Sequence, residues 1–168
     1  MMIRFLTVEH REHVTQKPFE AVVAALRTST GSVEEGFSHV TEQANSPQQF
    51  EAIFRARESS SGFMRFDTFD HGKWLQIIGQ TAKAVMVILG NPLIARTMLQ
   101  HDIRAGLNVP VRLLIYEHTD GSTRVAYDLP SSLMSGLENA DVTTAAAKLD
   151  EKLVALAEAI TGVSAVDS

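Results

Sequence analysis

The sequence predicts a soluble α+β fold organised as a single domain over residues 1–168, and three observations carry that prediction. The stretch from Ala82 to Leu89, apolar apart from Lys83, meets Gly90-Asn91-Pro92, the composition of a strand that passes directly into a capped helix. Val109 to Glu117 and Ser122 to Asp128 flank His118-Thr119-Asp120-Gly121, where Asp-Gly supplies the positive φ of a tight link between antiparallel strands. Beyond Pro130 the pattern turns helical, with Val142, Ala146, Leu149, Leu153, Leu156, Ile160 and Val163 recurring at alternating spacings of four and three.

Earlier elements follow from the same reasoning. Ile3 to Val8 mixes β-branched and aromatic residues and predicts an opening strand that continues toward His13. Pro18 starts a helix to about Thr28, on which Phe19, Val22, Val23 and Leu26 share a stripe, and Gly31 ends it. Val33 to Val40 reads as irregular. Ser46-Pro47-Gln48-Gln49 opens a second helix, with Ser46 capping the Gln49 amide, Gln49 reaching back, and Phe50, Ile53 and Phe54 on the buried face. The loop Glu58 to Gly62 stops it, and Phe63 to Phe69 alternates as a strand that places Asp67 and Phe69 on one face. Asp70 caps a short helix through Trp74, Leu75 and Ile78, after which Ala82 to Leu89 reads as a strand buried on both faces. Asn91 is then the N-cap and Pro92 the first position of a helix carrying Leu93, Ile94, Thr97 and Met98.

Composition excludes several function classes. With 45% hydrophobic and 21% charged residues the chain sits near globular averages and has enough length for a packed core. The longest strongly apolar run, Ala84 to Leu89, is far short of the roughly 20 residues that span a bilayer, so no membrane partner is expected. Met1 to His10 shows no basic stretch before an apolar one, which makes the cytoplasm the expected compartment. The absence of cysteine rules out disulfides, thiolate nucleophiles and Cys-held zinc or iron-sulfur groups. A net charge of −5, with fifteen scattered Lys and Arg, speaks against nucleic acid as a partner.

Few residues point to chemistry. His10-Arg11-Glu12-His13 brings two imidazoles together in sequence, but strand alternation sends His10 and His13 to opposite faces, so no metal is expected there or elsewhere. Gly31 to Ser38 resembles a phosphate loop only in its two glycines, since Phe37 stands where a lysine belongs. Neither G-x-S-x-G nor G-x-G-x-x-G occurs, and no organic cofactor is expected. Asp70-His71 can be read as a proton-transfer pair or as a helix cap followed by a first-turn histidine. Gly90-Asn91-Pro92 can be read as an anion-accepting helix start or as a plain cap. The C-terminal seam from Val142 to Val163 can pair with its twin in a homodimer or pack on the domain's own sheet.

The ordered set Phe69-Asp70-His71, Val87-Ile88-Leu89-Gly90-Asn91-Pro92, Val109 to Glu117, Asp120-Gly121 and Ala126-Tyr127-Asp128 resembles the domain of unknown function family 302, over roughly residues 15–133. The resemblance implies a mainly antiparallel sheet covered by helices, a two-layer arrangement similar to the TATA-binding-protein-like fold, often dimeric, and it implies no reaction. Asp70, His71, Gly90, Asn91 and Tyr127 match the family's pattern, whereas Asp128-Leu129-Pro130 departs from its usual Asn-Asp-Pro and argues against a ligand role for Asp128. The amphipathic helix at about residues 141–161 reads as an extension beyond the resemblance.

These readings converge on a cytoplasmic, homodimeric domain with a small-ligand-binding or regulatory role, in which Asn91, Tyr127 and Gly90 contact the ligand and Asp70 and His71 share one polar pocket with them. Two alternatives stand beside it. One is a cofactor-independent acid/base enzyme using His71 oriented by Asp70. The other is an assembly module acting through the C-terminal helix.

Overall fold

A computed structural model describes residues 1–164. Six strands, β1 (His10–Thr15), β2 (Gly31–Ser32), β3 (Met64–Asp70), β4 (Ala84–Gly90), β5 (Val111–Glu117) and β6 (Thr123–Asp128), form one open sheet in the order β1-β6-β5-β4-β3-β2. All neighbours are antiparallel except β2 and β3. The helices are α1 (Phe19–Ser29), α2 (Phe37–Thr41), α3 (Pro47–Arg57), α4 (His71–Ile77), α5 (Pro92–Leu99), α6 (Pro130–Met134) and α7 (Ala140–Thr161), with 3-10 turns at Ile103–Leu107 and Ser135–Leu137. This is the α+β, mainly antiparallel architecture that the sequence predicts. Among the described residues no helix is long and apolar enough to cross a membrane.

Alternation along the strands decides which face of the sheet is covered. Val85, Val87 and Leu89 of β4, Leu113 and Ile115 of β5, and Val125 and Tyr127 of β6 are buried in the main core with Val22 and Leu26 of α1, Met98 of α5, and α7. On the opposite face Met86, Ile88 and Leu114 keep part of their surface in solvent. The strand reading of 82–89 is therefore corrected from burial on both faces to full burial on one. A second cluster of Val33, Val40, Phe54, Met64 and Leu93 closes the end of the sheet where β3 starts and β4 stops.

The C-terminal stripe belongs to this chain's own core. Val142, Ala146, Leu149, Leu153, Leu156 and Ile160 are each no more than 3% exposed. Asn139 starts α7 by accepting hydrogen bonds from the amides of Asp141 and Val142, and Gly162 ends it at φ +72°. Of the two readings of the seam, packing on the sheet is the observed one, and no apolar seam is left on α7 for an assembly role.

The opening segment differs from expectation. Residues 1–9 are in no strand, and β1 begins only at His10, which pairs with Asp128. Pairing stops there because β6 runs into Pro130, which has no N–H and begins α6. Ile3 to Val8 thus has no strand beside it and stays exposed, held by a bond from the Leu129 amide to the Glu9 carbonyl and by the Arg4 guanidinium on the Gly136 carbonyl. Part of the segment read as irregular, from Phe37 onward, forms α2 after Gly36 at φ +122°. Ser46 caps α3 as expected, but Gln49 accepts from the amide of Asn45 instead of returning to Ser46.

Leu153 is fully buried, so Leu153→Ala is expected to cost about 2–5 kcal/mol of unfolding free energy in a denaturant titration. Leu153→Glu is expected to abolish the cooperative transition. A folded, unaltered Leu153→Glu monomer would show that α7 does not carry the core.

Candidate functional site

At the end of β4 the chain turns on Asn91, an extended residue between Gly90 and the first helical position, Pro92. Its Oδ1 accepts from the Leu93 amide at 2.9 Å, while Nδ2 donates to Glu58 Oε2 and to the Gly62 carbonyl, both at 2.8 Å. Asn91 is 4% exposed and both its donors are engaged, so it is a cap and a tie to the 58–62 loop, with no donor left for a ligand. Gly90 is required by space: a Cβ there would lie 2.9 Å from the Phe66 ring and 3.1 Å from Pro110.

Beside this junction lies a cavity of about 620 Å³. Phe37, Phe50, Phe63 and Phe66 line one side, and Leu89, Ile94, Met98, Leu99, Val109, Pro110 and Leu149 contribute aliphatic walls. The Phe37 and Phe66 rings lie 5.1 Å apart with their planes tilted by 38°. Among the described residues only Asn91, Arg96 and Gln100 bring polar side chains to the lining, and Arg96 is the one charge there. Polar-motif reasoning does not find this cavity. The available signal is the crowding of six of the eight phenylalanines, Phe37, Phe50, Phe54, Phe63, Phe66 and Phe69, into less than a quarter of the chain.

The structure does not bring the five expected site residues together. Asp70 pairs with Val85 and Met64 with Gly90, so Asp70-His71 and Gly90-Asn91 sit at opposite ends of the β3-β4 pair, about 17 Å apart at roughly 3.3 Å per residue. Asp70 is committed as the N-cap of α4, accepting from the Lys73 amide at 2.8 Å. The His71 ring is set by Trp74, whose Nε1–H donates to Nδ1 at 3.1 Å, and not by Asp70. His71 lines neither the cavity at Gly90 nor the clefts at Tyr127 and Asp70.

Tyr127 is in a third place. It is 3% exposed on the covered face of β6, with its hydroxyl 2.9 Å from His13 Nε2. His13 Nδ1 faces the Val163 carbonyl at 3.3 Å, an oxygen that can only accept. A proton on Nδ1 would serve that carbonyl, and in that tautomer Tyr127 donates to Nε2. Burial pushes the Tyr127 phenol up to about 12, reinforced by Glu158, Asp150 and Glu9 and opposed by Arg11. The two bonds tie β1, β6 and the segment just after α7 together, which is a structural role. Among the described residues no cluster of three or more His, Asp or Glu is arranged to hold a metal.

The fold and its cavity thus define a two-layer α+β domain with an apolar cleft at one end of its sheet. The chain belongs to the family Domain of unknown function DUF302, whose model matches residues 38–160. That match takes in α7, which the motif resemblance leaves as an extension, and leaves β1 and α1 outside. The structure is similar to the crystal structure of uncharacterized conserved protein DUF302 from Bacillus stearothermophilus, at a TM-score of 0.65 and 17% identity, over 90% of this chain and 97% of that one. The likeness is one of fold. No curated protein matches the chain.

The shifted phenol gives a measurable consequence. The folded state holds Tyr127 neutral to about 12, whereas the unfolded chain releases that proton at about 10, so stability falls as pH rises through this window. In Tyr127→Phe that component of the alkaline stability loss is expected to vanish. The tyrosinate absorbance step near 12 should vanish with it, leaving the step of Tyr116.

Proposed function

We propose that this protein is a small-ligand-binding domain whose ligand is apolar and occupies the cavity between α5, the phenylalanines of 37–66 and the start of β5. The carrying observation is the cavity: about 620 Å³, within the range of ligand sites, and lined almost wholly by hydrocarbon. This reading replaces the shared polar pocket, whose members lie at separate places and are engaged in caps and ties. The acid/base alternative has no observation in its favour, since Asp70 and His71 serve α4 and do not bond one another. The proposal keeps the cytoplasmic residence expected from the sequence.

The expected result is saturable fluorescence enhancement of Nile red, a neutral apolar probe, on addition of protein. Ala95→Trp, which places an indole in the lining, is expected to weaken that binding at least tenfold while thermal unfolding stays cooperative. Undiminished binding by a folded Ala95→Trp protein would remove the cavity from consideration.

The proposal includes a homodimer, formed through the uncovered sheet face. Along the ladder Phe69, Met86, Leu114 and Ala126 lie side by side, and Ile88 sits between Asp67 and Arg112. Neither Asp67 nor Arg112 has an ion-pair partner among the described residues. A two-fold axis parallel to β4 would set each Asp67 over the other copy's Arg112 and Ile88 over Ile88, so the face is complementary to itself in charge and in apolar character. Sedimentation is expected to show a dimer that Leu114→Lys converts to a folded monomer. A wild-type monomer at all concentrations would remove the dimer from the proposal.

A further inference from the structure

Every wall of the cavity is uncharged except at one point on α5. Arg96 stands there with a little over half its side chain in solvent, and Gln100 follows four residues on, the spacing that puts two side chains on the same helix face. Asn91, the other polar group in the lining, has no donor to give. Arg96 makes a single ion-pair contact among the described residues, from Nη2 to Glu51 Oε2 at 3.4 Å, and Glu51 is shared with Arg55 at 3.5 Å. A guanidinium carries five N–H donors, so most of its capacity is open. Among the described residues no acidic side chain lines the cavity. The site therefore combines a hydrocarbon interior with one cation and one amide on the same helix face.

Resting on the apolar-ligand reading above, we infer that the ligand is an amphiphile with an anionic head, a straight-chain fatty carboxylate. Its tail lies along Phe37, Phe50, Phe66 and Ile94, lining residues that keep accessible surface, and its carboxylate meets Arg96, with the second N–H of the Gln100 amide, whose nitrogen also meets His101 Nε2 at 3.2 Å, as a further donor. Burying the tail supplies affinity, at about 0.8 kcal/mol per methylene removed from water. The head supplies selectivity, because a planar carboxylate can take two N–H bonds from a guanidinium where an alcohol takes one and an ammonium is repelled. Glu51 competes for the same guanidinium, and the partial exposure of Arg96 adds solvent screening, so the preference is moderate.

Calorimetric titration with dodecanoate, dodecanol and dodecylammonium, each below its micelle concentration, tests this. The wild type is expected to bind dodecanoate about three- to tenfold more tightly than dodecanol, and dodecylammonium more weakly than either. Arg96→Gln is expected to bring dodecanoate to the dodecanol level while leaving dodecanol unchanged, and Arg96→Lys to retain most of the preference. Equal binding of carboxylate and alcohol by the wild type would overturn the head-group assignment and leave the apolar cavity standing. Failure of all three ligands and of Nile red would overturn both. A carboxylate preference that survives Arg96→Gln, or dodecanoate binding that Ala95→Trp does not weaken, would place the site elsewhere and overturn the assignment as well.

Discussion

The buried amide of Asn91 is the constraint on which the arrangement around β4 rests. One side chain accepts from the first turn of α5 and donates to the loop that leads into β3, so two segments far apart in sequence are fixed at a single point. No other residue type replaces it. Asp would keep the cap but set a carboxylate against Glu58, and Ser would keep the cap but reach neither Glu58 nor Gly62. Because α5 and Phe63 are both positioned through this amide, the cavity between them inherits its shape from a hydrogen-bond pattern and not from the apolar walls alone. Gly90 completes the constraint by leaving room for Phe66 and Pro110 to close over the strand.

Much of the fold was legible because it follows from short-range pattern. The four-and-three spacing from Val142 to Ile160 marks one helical stripe, and Asp120-Gly121 marks a hairpin, with Gly121 at φ +82° and Asp120 accepting from the Ser122 amide. Asp70, Ser46 and Asn91 were all readable as caps and all are caps. The misreadings concern what lies across space. Ile3 to Val8 has strand composition but no neighbour to pair with once β6 ends at Pro130. The run before Gly90 is apolar at every position, yet the helices cover only one face of the sheet, so Met86 and Ile88 stay partly open. Composition reports affinity for a partner, and it does not report whether the topology supplies one.

The site was less legible for a related reason. Polar residues at element ends stand out in a sequence, and here they stand out because they terminate elements: Asp70, Asn91 and their neighbours are engaged by the backbone they cap. His71 and Asn91 looked like companions in the motif order, but an antiparallel pair returns the chain, so residues at the outer ends of β3 and β4 diverge by the length of a strand. The cavity has no motif at all. Six of its wall residues come from α5 and the others from α2, α3, β3, β4, β5, α7 and the segments between them, and only the crowding of phenylalanines between 37 and 69 hinted at it.

The proposed ligand site and the proposed dimer face meet at Pro110 and Val111, which border both the cavity and the cleft on the open side of the sheet. Ile88, at the centre of the proposed contact, is two residues from Gly90, where a side chain would meet both Phe66 and Pro110. A ligand that displaces the Phe66 ring therefore presses on the same proline that a second copy would cover. In a close-packed interior such pressure is transmitted instead of absorbed, since a shift of one ring must be taken up by its neighbours. Under the two proposals, ligand and partner act on one element, and linkage requires the effect to be mutual: whatever the ligand does to dimer affinity, dimerisation does to ligand affinity by the same factor. That coupling gives physical content to a regulatory role, because it lets an apolar carboxylate change the state of assembly without any group in the protein having to react.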